Sequence, residues 1–193
     1  MSDKPKFPRA DALRVAKELC DALEGTVEKL IIAGSLRRRK QFVGDVEVLF
    51  VPRLVEKKKE QAGLFGDFEQ VEYESLAERK IEALLASGVI VKRPSKIGVF
   101  TWGKDNKLAV HAKSGIPVDF FATSLEKWFV SLVIRTGSAE TNLKLTTGAN
   151  KLGGTLHAYG TGVTHSDGTH TKATSEQHVF DLCGVPYAEP KDR

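Results

Sequence analysis

The sequence predicts an α+β fold: a mixed, largely antiparallel sheet with flanking helices, followed by a smaller helical and hairpin subdomain. Helix-period and strand-like runs follow one another without a regular βα repeat, and several short strands between residues 89 and 122 are joined by hairpin-length turns. The chain has 193 residues and is 41% hydrophobic, enough to bury a core.

Residues 10–24 place Leu13, Ala16, Leu19, Cys20 and Leu23 at helical spacing, with Gly25 as the stop. Residues 27–33 read as a strand delivering Gly34-Ser35, and 45–51 as a second strand ended by Pro52. The charged, glycine-containing stretch that follows fits neither period and reads as an insertion over about 54–74. A helix is expected over 75–86, then short strands at 89–91, 99–102, 108–112 and 116–122, with a turn at 104–107. Thr123 and Glu126 have the spacing of a capping box for a helix reaching Ile134. Thr136-Gly137-Ser138 breaks it, and Ser138 caps the next helix, which ends at Gly153-Gly154. A hairpin around 165–170 and a helix over 175–183 complete the chain.

No apolar run approaches the length of a membrane span, and the N-terminus MSDKPKFPRA lacks the apolar stretch of a signal peptide. The protein is expected to be cytoplasmic and independent of membranes. Cys20 and Cys183 are too far apart in sequence for a Cys-x-x-Cys site and read as reduced core thiols. The net charge is +4, and the positive residues are bunched at 37–40, 57–59 and 92–96. Bunching of this kind is the electrostatic footprint of nucleic-acid binding, although a run such as 57–59 also suits a solvated face.

Residues 34–50, GSLRRRKQFVGDVEVLF, carry the strongest chemical signal. Gly34-Ser35 opens a turn whose backbone N–H groups suit phosphate oxygens, and Arg37, Arg38, Arg39 and Lys40 add charge-assisted donors. In the following strand Asp45 and Glu47 project to one side while Val46, Val48 and Phe50 project to the other. Two such carboxylates suit a hard cation such as Mg2+, whereas a D-x-E pair alone is more often a solvated face. Asp119 lies in a second strand-like run, IPVDFFA, and if the strands are adjacent three carboxylates converge.

These segments resemble the X-family DNA polymerases of the polymerase β type, within the nucleotidyltransferase superfamily. The resemblance rests on FPRADA at 7–12, GSLRRRKQFVGDVEVLFV at 34–51, VDFF at 118–121, RTGSAETN at 135–142 and the C-terminal stretch ending GVPYAEPKDR. It implies a nucleotidyltransferase palm over 25–122 behind an N-terminal helix at 1–24, and a nucleotide- and base-pair-binding subdomain over 123–193. By position it implies that Asp45, Glu47 and Asp119 hold two Mg2+ ions, with Mn2+ as a substitute, and that Asp119 accepts the proton. Ser35, Arg38, Gly34 and Gly44 would bind the β- and γ-phosphates. Asn142 would meet the base, Gly137 and Arg135 would line the nucleotide site, and Lys6 would lie near the triphosphate. The implied activity is DNA-directed DNA synthesis from dNTPs on gapped or primer-template DNA, by a monomer of bacterial or viral origin. The few residues before the palm leave no room for a lyase domain.

Glu47 stands where the family uses Asp, Ile134-Arg135 replaces an aromatic pair beside the sugar, and Arg39 replaces a glycine. The alternatives keep the chemistry but change the acceptor to an untemplated end, an RNA end, or a small molecule or protein, or make the chain a weakly active DNA-binding accessory protein associated with the sliding clamp. Within the insertion, Gln61, Leu64 and Phe65 resemble a sliding-clamp-binding peptide, or else pack on the palm. His157, His165, His170 and His178 have no standard metal-ligand spacing.

Overall fold

A computed structural model describes residues 5–61, 68–95 and 97–193. A short strand, β1 (Phe7–Pro8), leads into α1 (Arg9–Leu23), where Ala12, Val15, Ala16, Leu19 and Leu23 form one buried stripe. Next come β2 (Val27–Ile32), one helical turn α2 (Gly34–Arg37), the two-residue β3 (Phe42–Val43) and β4 (Val46–Pro52). β1 pairs antiparallel with β3, tying the N-terminal segment to the residues just ahead of β4. A separate antiparallel hairpin, β5 (Leu54–Gln61) and β6 (Phe68–Ser75), precedes α3 (Leu76–Ala86), whose first turn is capped by Ser75 Oγ accepting from the Glu78 amide at 3.0 Å.

Strands β7 (Ile90–Lys92), β8 (Asn106–His111) and β9 (Pro117–Ala122) complete a five-stranded sheet in the order β2-β4-β9-β8-β7. Every pairing in it is antiparallel except β4 with β9, which is parallel and sets Glu47 opposite Asp119. Both faces of β4 are covered, which explains its nearly unbroken apolar run. Val46, Val48 and Phe50 pack with Val118 and Phe120 beneath α1 and α3. Leu49 and Val51 pack with Phe121 on the other face, against Trp128 and Leu132 of α4 (Trp128–Thr136). The fully buried Phe120 side chain contributes about 1.5–3 kcal/mol to this core.

Beyond α4 the chain forms α5 (Ala139–Lys151), the meander β10 (Thr155–Leu156), β11 (Gly162–Thr164) and β12 (His170–Lys172), and α6 (Glu176–Leu182). These elements share a core of Val130, Val133, Leu145, Val163, Val179 and Phe180. Gly148 lets α5 approach the end of α6, because a Cβ there would strike the Cys183 carbonyl. Both cysteines are free, and burial raises each thiol to about 11, leaving them poor nucleophiles at neutral pH.

Three expectations need correction. Within the stretch read as an insertion of no clear period, the described residues 54–61 and 68–75 pair as the antiparallel strands β5 and β6. Residues 99–102 make isolated bridges, Pro94 with Phe100 and Trp102 with Lys107, rather than a strand. The Thr123–Glu126 capping box does not form: the Thr123 amide is still engaged by the Phe50 carbonyl of β4 at 2.9 Å, and α4 begins at Trp128. Gln61 ends β5, while Leu64 and Phe65 of the clamp-like motif lie outside the described residues.

Candidate active site

The parallel β4–β9 pair brings the three carboxylates together. Asp45 immediately precedes β4, Glu47 is its second residue, and Asp119 is directly across in β9. One carboxylate oxygen from each lies within 4.8 Å of the other two. Burial raises the Glu47 carboxyl to about 8, the charges of Asp45 and Asp119 push the same way, and Arg135 and Arg38 oppose them. A crowded, partly buried set of hard oxygen donors that holds a proton near neutrality fits a divalent cation such as Mg2+.

The longer arm of Glu47 has a visible accommodation. Gly34 sits at φ 58°, and a Cβ there would coincide with the Glu47 carboxylate. Glycine suits both the left-handed backbone here and the space the Glu47 carboxylate fills. Ser35 Oγ, beside it, is buried without a hydrogen-bond partner among the described residues. Arg38 reaches across from α2 to donate to the Thr136 carbonyl, while its Nε is buried and unpartnered among those residues. Burial lowers the Arg38 pKa, against the attraction of Glu47 and Asp45.

Gly137, at φ 65°, completes this approach: a Cβ there would stand 3.1 Å from Arg38 Nη1. Next along, Ser138 Oγ accepts from the Thr141 amide and starts α5, where Asn142 Nδ2 donates to the Ile134 carbonyl at 2.9 Å. Asn142 Oδ1 is buried with no partner among the described residues. The Arg135 guanidinium lies 3.5 Å from the Phe121 ring centroid and 5.8 Å from that of Tyr159. Lys6 is exposed at the head of β1, whose pairing with β3 places this segment beside Gly44. Gly34, Ser35, Arg38, Arg135 and Gly137 thus gather around the carboxylates or the adjoining turn, whereas Lys6 lies at the margin.

Arg37 departs from the expected phosphate cradle. Its Nη1 donates to Thr136 Oγ1 at 2.6 Å, and the guanidinium grips both carboxylate oxygens of Glu176 at 2.5 and 2.9 Å. Arg193 Nη1 lies 2.9 Å from Glu176 Oε2 but is not aligned to donate, so this contact is an ion pair without a hydrogen bond. Burial pushes the Glu176 pKa up, yet the hydrogen bonds and charge of Arg37, with Arg193, outweigh it and hold the carboxyl below its usual value. This triad, its Arg193 side chain buried and the other two partly so, joins α2 to α6 and to Arg193.

Arg93, which the sequence offered only as part of a basic cluster, is ion-paired with Asp119. The histidines of the C-terminal meander bond to threonine hydroxyls, His157 to Thr164, His165 to Thr171 and His170 to Thr161, an arrangement that does not gather them as metal ligands. A cavity of about 530 Å3 bounded by Phe50, Tyr73, Glu78, Lys107, Lys127 and Tyr159 lies toward the far end of β4 and β9 and takes no part in the carboxylate cluster.

Fold and site together define the class: an α+β domain in which a mixed sheet carries a convergent carboxylate triad, followed by a smaller helical and hairpin subdomain. Residues 131–193 match the family described as DNA polymerase beta thumb. The fold is similar to the crystal structure of Leishmania infantum polymerase beta in a ternary P/T complex, with a TM-score of 0.71 and 19% identity over 98% of this chain and 77% of that one. No curated protein sequence matches. The chain is similar to that polymerase β in fold along its length, and similar in sequence to the polymerase beta thumb over residues 131–193.

Proposed function

We propose that the protein is a DNA-directed DNA polymerase of the X family that adds dNMP to a primer 3′-hydroxyl and fills short gaps during repair. The observation that carries this reading is the convergence of Asp45, Glu47 and Asp119 beside a buried, unpartnered Ser35 hydroxyl and an Arg38 anchored to the Thr136-Gly137 turn. Residues 25–122 form the palm behind the helix at 1–24, and 123–193 bind the nascent base pair.

Asp45, Glu47 and Asp119 would hold two Mg2+ or Mn2+ ions, which when bound acidify the acceptor hydroxyl and neutralise the triphosphate. Ser35 Oγ, Arg38 Nε and the backbone at Gly34 and Gly44 bind the β- and γ-phosphates. Gly137 leaves room for the sugar, and Asn142 Oδ1 meets the base edge. Asp119 accepts the 3′-hydroxyl proton as the oxygen bonds to the α-phosphorus and the bond to the departing pyrophosphate breaks. The bunched basic residues hold the DNA backbone, so affinity falls steeply as salt rises.

The test is incorporation on four one-nucleotide-gapped duplexes that differ only in the templating base, alongside an unpaired single strand. The expected result is addition of the complementary dNMP in each duplex and none on the single strand. Addition indifferent to the template, or confined to the single strand, would overturn the reading in favour of terminal transfer.

A further inference from the structure

We propose that Arg93 is a positioning residue for Asp119, setting the orientation of the third carboxylate from across the sheet. This inference rests on reading the carboxylate cluster as a divalent-metal site. Arg93 follows the edge strand β7, and its amide bonds to the Leu108 carbonyl of β8 at 3.1 Å. Leu108 is opposite Asp119, and Asp119 is opposite Glu47. Arg93 just past β7, Leu108 in β8, Asp119 in β9 and Glu47 in β4 therefore lie in one row across the sheet. Adjacent strands lie about 4.8 Å apart, so the Arg93 side chain must span roughly 10 Å to reach Asp119.

It does so under restraint. Nε donates to the Ala109 carbonyl at 3.1 Å, Nη1 to the Pro94 carbonyl at 3.4 Å, and Nη2 to Asp119 Oδ1. The Arg93 side chain is 23% exposed and that of Asp119 11%. Within β9 the same-face neighbours of Asp119 are Pro117 and Phe121, neither of which carries a charge. Arg93 reaches it instead from the segment just past β7, and only a long planar fork can hold Asp119 while bonding to two carbonyls. Fixing Oδ1 sets the rotation of the carboxylate, and with it the oxygen presented toward Glu47. A lysine would supply the charge without the fork.

Mn2+ titration of the full chain without DNA or nucleotide, followed by electron paramagnetic resonance, separates these roles for wild type, Arg93→Ala and Arg93→Lys. Loss of a carboxylate's outer-shell partner weakens metal binding by about 10–100-fold, and Arg93→Ala is expected to fall in that range, with Arg93→Lys restoring only part. Single-turnover extension should slow while the dNTP dissociation constant stays within about twofold, because phosphate-binding groups are untouched. Equal or tighter Mn2+ binding by Arg93→Ala would overturn the proposal, since Arg93 would then only neutralise charge. If Arg93→Ala fails to fold, wild-type Mn2+ affinity in Arg93→Lys has the same consequence. Absence of Mn2+ binding by wild type would instead bring down the metal-site reading, and this proposal with it.

Discussion

Gly34→Ala, alone and combined with Glu47→Asp, probes how the palm accommodates its longer acid. In the native chain the added methyl would meet Glu47 Oε2, with Cδ at 2.8 Å and Cγ at 3.2 Å from the same point. Two costs follow. Holding alanine in the left-handed region costs about 1–2 kcal/mol, and forcing a methyl into occupied space costs about 1–3 kcal/mol more. Glu47→Asp withdraws the carboxylate by one methylene, so only the backbone part remains in that background. At roughly 2–4 °C per kcal/mol for a chain of this size, Gly34→Ala should lower Tm by about 4–20 °C in the native background and about 2–8 °C beside Asp. The assay is thermal unfolding of the four proteins in EDTA, which keeps metal out of the cycle. The expected coupling is about 1–3 kcal/mol, typical of residues in direct contact. Additive effects of the two substitutions would refute the claim that Gly34 is demanded by Glu47.

Three further outcomes are expected. Because the folded-state Glu47 pKa is raised to about 8, its stabilising proton is fully bound below the usual carboxylate range and is lost as pH rises through about 8. Metal-free Tm should therefore fall across that interval, Mg2+ should restore it at the alkaline end, and a flat profile for wild type matching Glu47→Gln would contradict the assignment. Glu176→Ala leaves Arg37 and Arg193 without their shared partner; with the Arg193 side chain at 0% exposure, the loss should be about 3 kcal/mol. Glu176→Gln should remove the part of wild-type stability that is lost as pH drops through the depressed Glu176 pKa, an effect absent if the triad contributes nothing. If Ile134-Arg135 stand in place of the family's aromatic pair, with Arg135 held against Phe121, dNTP over rNTP preference should stay below about tenfold; strong dNTP preference under equal conditions would exclude this.

What the sequence revealed depended on how local the cause was. Asp45, Glu47 and Asp119 were legible because strand alternation places an acid between core residues, although the parallel register that sets Glu47 opposite Asp119 is a tertiary fact. The Thr136-Gly137-Ser138 break and the α5 cap were also local. Arg37 was misplaced because its partner Glu176 is 139 positions away, and no spacing rule pairs charges at that distance. Arg93 escaped notice for the same reason. The β5–β6 hairpin hid because it stands apart from the main sheet, so its charged residues carry no clear apolar alternation. At Thr123 a sound local capping signal lost to a sheet hydrogen bond from Phe50.

The most direct test of the carboxylate triad as the catalytic centre is extension of a one-nucleotide-gapped duplex with Mg2+ by wild type, Asp45→Asn and Asp119→Ala, with DNA affinity measured on the same samples. Wild type should extend, and both variants should keep DNA binding within about threefold while losing at least about 10³-fold in rate, as expected when transition-state stabilisation alone is removed. Extension by either variant at near wild-type rate would contradict this assignment.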